Sequence, residues 1–139
     1  MFSMLPMGWL SGMKVTHLDE EKCSVRVPYK RWNKNPFKST FWAVLGMAAE
    51  MSSGALLVMF THKQSPSVAM LVVNCEGEFF KKATDVTEFT CHGGAQIKAA
   101  ILETMATKNP VLIPLEMEGI NKTGELVAKF KFTWSVKAR

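Results

Sequence analysis

A chain of 139 residues with 47% apolar content is long enough to bury a single core, and one domain is the working reading. Seventeen Lys and Arg against twelve Asp and Glu leave a net charge of +5, which favours acidic partners, phosphorylated ligands before nucleic acid or membrane surfaces. Cys23, Cys75 and Cys91 form no C-x-x-C pair, which excludes a zinc cluster or a disulfide framework by spacing and fits a reducing cytoplasm.

The opening "MFSMLPMGWLSGMK" is apolar, but no basic residue precedes its hydrophobic stretch, and Pro6 and Gly8 interrupt it. Residues 1–13 therefore read as a short helix capping the core rather than a signal peptide. Cys23, Val25, Val27 and Tyr29 alternate at period two, the mark of a strand with one buried face. Next comes "PYKRWNKNPFKST", a basic loop carrying Lys30, Arg31, Lys34 and Lys38, with Ser39 or Thr40 as the expected N-cap of a following helix. Free amides and the positive end of the helix dipole would polarise a carbonyl or hold an anion there; the run reads equally as a solvated loop.

Residues 41–60 form an apolar stretch with a single charge, long enough to cross a bilayer. Glu50 stands at its middle, where a carboxylate is costly in lipid, so a helix inside a folded core is expected instead. His62, just beyond, reads as a solvated residue at the helix C-terminus, and His17 as a surface histidine. "SVAMLVVNCEGEFF", over residues 67–80, is too uniformly apolar at first for a half-exposed strand, so a central strand is expected, with Gly77 as its bulge. "TDVTEFTCH" is a further strand, Gly93 and Gly94 make a turn, and Ile97, Ile101 and Met105 set the spacing of a second helix over about 95–107. Val111, Ile113, Leu115 and Met117 share a parity, as do Leu126, Ala128, Phe130, Phe132, Trp134 and Val136, and "NKTG" folds the two runs into a hairpin. Pro114, lacking an N–H, hints at an edge or a bulge. The whole is an α+β architecture, an antiparallel sheet wrapped about one apolar helix.

Glu50 is the informative residue of that helix. A carboxylate buried without partners shifts its pKa upward or demands hydrogen bonds. Helical spacing places Gly46, Glu50, Ser53 and Gly54 on one stripe, where a ligand or another backbone can come close. The stripe is open to a second interpretation, helix packing across a dimer with Glu50 satisfied locally. Met4, Met7, Met47 and Met51 would add an adaptable apolar surface, or simply fill the core.

The order of strands about one long helix, with Asn35 in the preceding loop and Glu50 in the helix, resembles the hotdog fold, and more narrowly the PaaI-like acyl-CoA thioesterases and their uncharacterised relatives. Placing Asn35 on the family's Asn puts Ser39 at its Thr/Ser step, Phe41, Trp42 and Ala43 on its His-Gly-Gly, and Glu50 on its acid. "EGEFFKKA" and "NKTGELVAKFKFTW" resemble the family's following strand and terminal hairpin. The resemblance implies a thioesterase in which Glu50 activates water or attacks the thioester, Ser53 positions water, and Asn35 orders the loop. Ser39, Thr40, Phe41, Trp42, Ala43, Gly46 and Gly54 would line the substrate site, with helix amides as the oxyanion hole. It also implies a homodimer or dimer of dimers with acyl-CoA as ligand, and no cofactor or metal. Phe41 cannot make the hydrogen bonds of the family's His, so a non-catalytic acyl or acyl-CoA binding protein is the alternative.

Two other classes are set aside. A hotdog hydratase needs a histidine beside the acid, and residues 29–60 contain none. In "FKFTW" the aromatic and basic residues occupy opposite faces of a strand, which is sheet patterning rather than a nucleic-acid surface.

Overall fold

A computed structural model describes residues 10–139 of the chain. The expected N-terminal helical cap falls mostly on residues 1–9, outside the described part. Six strands form one antiparallel sheet: β1 (Lys14–Leu18), β2 (Cys23–Val27), β3 (Val68–Phe79), β4 (Thr87–Cys91), β5 (Val111–Asn121) and β6 (Leu126–Ala138). Their spatial order is β1-β2-β4-β5-β6-β3. The helices lying wholly within the described residues are α1 (Trp42–Thr61) and α2 (Gly94–Thr107), and a 3-10 turn covers Arg31–Asn33. α1 is shifted by one residue at each end from the expected 41–60, and α2 begins one residue before the expected 95.

Alternation explains the sheet. Val25 of β2 sits opposite Phe89 of β4, Phe89 opposite Gly119 of β5, and Met117 opposite Phe130 of β6, all turned to the face that α1 covers. From its other side α1 supplies Leu45, Ala48, Ala49, Ser52, Ser53, Leu56 and Leu57 to the interior. It has the length and apolarity of a bilayer span, yet this buried stripe is packed on the sheet. The outer face is polar: Glu116 and Glu118 of β5 oppose Lys131 and Lys129 of β6, cross-strand pairs of opposite charge.

The β5–β6 hairpin turns where "NKTG" placed it, with Gly124 at φ +87°, the left-handed region that glycine enters without strain. Pro114 lies where β5 runs past its neighbour, since pairing with β4 begins only at Met117, so the strand is locally an edge. "CHGGA" is a strand-to-helix turn, as expected, but close packing rather than backbone conformation demands its second glycine. A Cβ on Gly94 would overlap the backbone carbonyl of Glu20, and the Gly94 amide donates to Glu21 O at 3.0 Å.

β3 is a correction. It is the outermost strand beside β6, not a central one, and Met70, Leu71 and Val73 are exposed on it. Its irregularity also lies elsewhere than Gly77, between Val72 and Asn74. The extra residue, Val73, resets the alternation so that Cys75 and Gly77 fall opposite Phe132 and Phe130. Gly77 serves packing: a Cβ there would come within 2.9 Å of the Phe130 ring.

Candidate functional site

The loop into α1 is built around Asn35. Its Oδ1 accepts from the amides of Phe37 at 2.9 Å and Ser39 at 3.3 Å, and from Ser39 Oγ at 3.3 Å, the way a short amide side chain organises a turn. Thr40 Oγ1 donates to Ala83 O at 3.2 Å, so both hydroxyls expected to cap α1 are engaged in the loop. The N-cap is instead Phe41, with no side-chain cap. The amides of Trp42 and Ala43, the first two of the helix, have no carbonyl four residues behind them and sit at the positive end of the dipole. The rings of Phe41 and Trp42 pack together at 5.9 Å and both reach solvent.

Glu50 is exposed rather than buried, and its carboxylate has no hydrogen-bonded or ion-paired partner among the described residues. It stands at a groove of about 600 Å³ that follows α1 from Met47 to His62 and is walled by Met51, Val58, Met70 and Trp134. Those apolar walls desolvate the carboxylate and hold its pKa above the ordinary 4.5. Cys75 shares this neighbourhood: its thiol is pushed above 9.0 by desolvation first, and then by the charges of Glu50 and Glu76.

The glycine stripe meets the aromatic face of β6. A Cβ on Gly46 would lie 3.3 Å from Phe130, and one on Gly54 3.8 Å from Trp134. Ser53 is fully buried between them; its Oγ donates to Glu50 O at 2.9 Å and accepts from Trp134 Nε1 at 3.0 Å. That bond fixes the indole that forms part of the groove wall. Of the residues expected at the site, Glu50 and Gly54 line the groove and Ser53 lies behind Trp134. Asn35, Ser39, Thr40, Phe41, Trp42, Ala43 and Gly46 do not line it. At about 1.5 Å per residue, α1 places Glu50 about 12 Å beyond Trp42.

Trp134, Met70, Cys75 and His62 were not singled out as site residues. Period-two patterning marks Trp134 as facing inward but does not separate it from Phe130 and Phe132, which do not line the groove. Met70 takes its side from pairing with Val136 of β6, and Cys75 falls on that side only through the bulge at Val73, which carries no sequence signal. His62 is exposed, as expected, and also borders the far end of the groove.

An antiparallel sheet curled about one long helix defines the hotdog fold. Within it the chain belongs to the family described as Domain of unknown function (DUF4442), whose model matches residues 1–136. Among solved structures it is similar to a protein of unknown function from Pseudomonas aeruginosa described as a probable thioesterase, at 19% identity and a TM-score of 0.86, covering 99% of this chain and 91% of that one. A protein of unknown function from Chlorobaculum tepidum is similar at 17% identity and a TM-score of 0.82, covering 99% and 90%. A thioesterase from Haemophilus influenzae is similar at 9% identity and a TM-score of 0.69, covering 95% and 82%. No curated protein matches the chain in sequence.

Proposed function

We propose that the protein hydrolyses acyl thioesters, acyl-CoA first among them, in the cytoplasm, with Glu50 as general base or nucleophile. The observation that carries this reading is an unpartnered carboxylate, its pKa raised, at the edge of an apolar groove. Partial desolvation makes such a group a stronger base, and the groove offers an acyl chain a dry wall. The thioesterase among the similar structures supports the substrate class.

Hydrolysis needs the acid and an oxyanion donor each about 3 Å from the reacting centre. Within one protomer Glu50 and the Trp42 and Ala43 amides are about 12 Å apart along α1, too far to serve one carbonyl. The site is therefore completed by a second copy, whose helix N-terminus meets the first protomer's Glu50, and the protein works as a homodimer or a dimer of dimers. Asn35, Ser39 and Thr40 hold that N-terminus in place. Phe41, Trp42 and Ala43 border the reacting group, while Gly46, Ser53 and Gly54 keep the Phe130 and Trp134 rings against the helix.

A panel of acyl-CoA chain lengths followed by thiol release tests the reading. Glu50→Ala should lose at least about a hundredfold in kcat/KM, as removal of a general base does; equal background rates for both proteins would remove Glu50 from the chemistry. One observation favours a second reading, a non-catalytic acyl or acyl-CoA binding protein: Phe41, which can neither donate nor accept a hydrogen bond through its side chain, forms the N-cap of α1. Calorimetric binding of acyl-CoA without turnover would select it.

A further inference from the structure

The loop before α1 carries aromatic and basic side chains that the hydrolase reading leaves largely unused. Trp32 is 73% exposed and Phe37 72%, large apolar surfaces for a water-facing loop. They sit on ordered backbone: Asn35 organises the turn, Tyr29 Oη donates to Lys38 O at 2.9 Å, and Lys82 Nζ donates to Phe37 O at 3.4 Å. That last bond joins the loop to the segment after β3, where Phe80 is also exposed.

The loop itself carries charge of one sign. No Asp or Glu occurs between Cys23 and Ala49, a stretch that contains Lys30, Arg31, Lys34 and Lys38. Neither these four nor Lys82 enters an ion pair among the described residues. Lys34 lies instead over the Tyr29 ring, 4.6 Å from its centre.

We infer that this patch, Trp32 and Phe37 set among Lys34, Lys38 and Lys82, docks the protein on an anionic lipid bilayer surface. Trp and Phe settle at headgroup depth because their rings are apolar enough to leave water, while Lys and Arg meet lipid phosphates without entering the hydrocarbon. A soluble nucleotide would stack on one ring and leave the other in water, whereas an anionic bilayer has room for both rings and for the basic side chains of the loop. The inference goes beyond the hydrolase reading and stands without it, because docking is measured on the protein alone.

Co-sedimentation with vesicles of phosphatidylcholine, and of phosphatidylcholine with equimolar phosphatidylglycerol, tests it on the full chain. Binding should appear on the anionic vesicles only and should weaken as salt rises and screens the charge. Lys34→Glu with Lys82→Glu should lower the partition coefficient by at least about tenfold, since each basic side chain near such a surface contributes roughly a fivefold factor. Trp32→Ser with Phe37→Ser should lower it by a similar factor, about tenfold, through lost ring insertion. Unchanged thermal midpoints separate these effects from unfolding, and the lysine pair, both exposed, carries the test if the aromatic pair misfolds. No binding to anionic vesicles, equal binding to neutral ones, or unchanged binding by the variants would each overturn the inference.

Discussion

Glu50 is desolvated by the groove but paired with nothing, and that fixes how it responds to pH. Its folded-state pKa lies above the ordinary 4.5, so the protonated form suits the fold better than the ionised one. This contribution is fully present below the unfolded value and is lost as pH rises through the folded value. Glu50→Gln should therefore match the wild type in chemical denaturation near about pH 4 and exceed it near about pH 8, by less than about 1 kcal/mol because water reaches the carboxylate. The same substitution removes a negative charge that raises the Cys75 pKa, so alkylation of Cys75 at fixed pH should speed up about two- to threefold, while buried Cys23 and Cys91 stay silent. An unchanged alkylation rate would separate the two side chains. Ser53 presents a different case, a hydroxyl that satisfies a buried indole. Ser53→Ala should cost about 1–2 kcal/mol by leaving Trp134 Nε1–H unpaired, and less in a Trp134→Phe background, where no donor remains. Equal losses in both backgrounds would mean that the bond contributes nothing.

At the scale of elements, local signals succeeded where one residue's neighbours along the chain decide its environment. The two-residue alternation of β5 and β6, the "NKTG" turn and the run of α1 are of this kind, and each appears within about a residue of its expected place. The position of β3 depends instead on which strands come to lie beside it, and an apolar run reads the same in the middle of a sheet as on an exposed edge awaiting a partner. The cap of α1 failed for a related reason: Ser39 and Thr40 have the right chemistry, but Asn35 and Ala83 take up their hydroxyls first. Glu50 could be found as the one charge in an apolar helix, whereas Trp134 and Met70 join it only through pairing across the sheet. Two helix ends make the contrast between backbone and packing measurable. Lys108 caps α2 at φ 64°, where a side chain is strained, so Lys108→Gly should add about 0.5–1 kcal/mol to stability. Gly94→Ala, at the other end, sets a Cβ against the immovable Glu20 carbonyl and should cost about 3 kcal/mol or more, both read by thermal denaturation.

For the whole molecule, the open edge of β3 and the groove along α1 form one region. β3 is an edge strand with Leu71 65% exposed and Val73 49%, and it carries no proline to deter another strand. Met70 of the same strand borders the groove, and across it lie Met47, Met51 and Val58 of α1. A second copy pairing along β3 would extend the sheet, cover these side chains and close the groove in which Glu50 stands. It would also bring the partner's α1 toward that acid, which the 12 Å separation within a protomer requires if hydrolysis is to occur. Sedimentation velocity should therefore show a dimer or tetramer at micromolar concentration. Leu71→Lys with Val73→Lys should raise its dissociation constant by about a hundredfold or more, since charges facing a buried strand edge oppose pairing. The same variant should lose thioesterase activity in step with the dimer while its melting curve, measured on the monomer, stays cooperative. An active monomer would show that a single chain holds the complete site, and the oxyanion donors would then have to be sought near Glu50 itself rather than at the helix N-terminus.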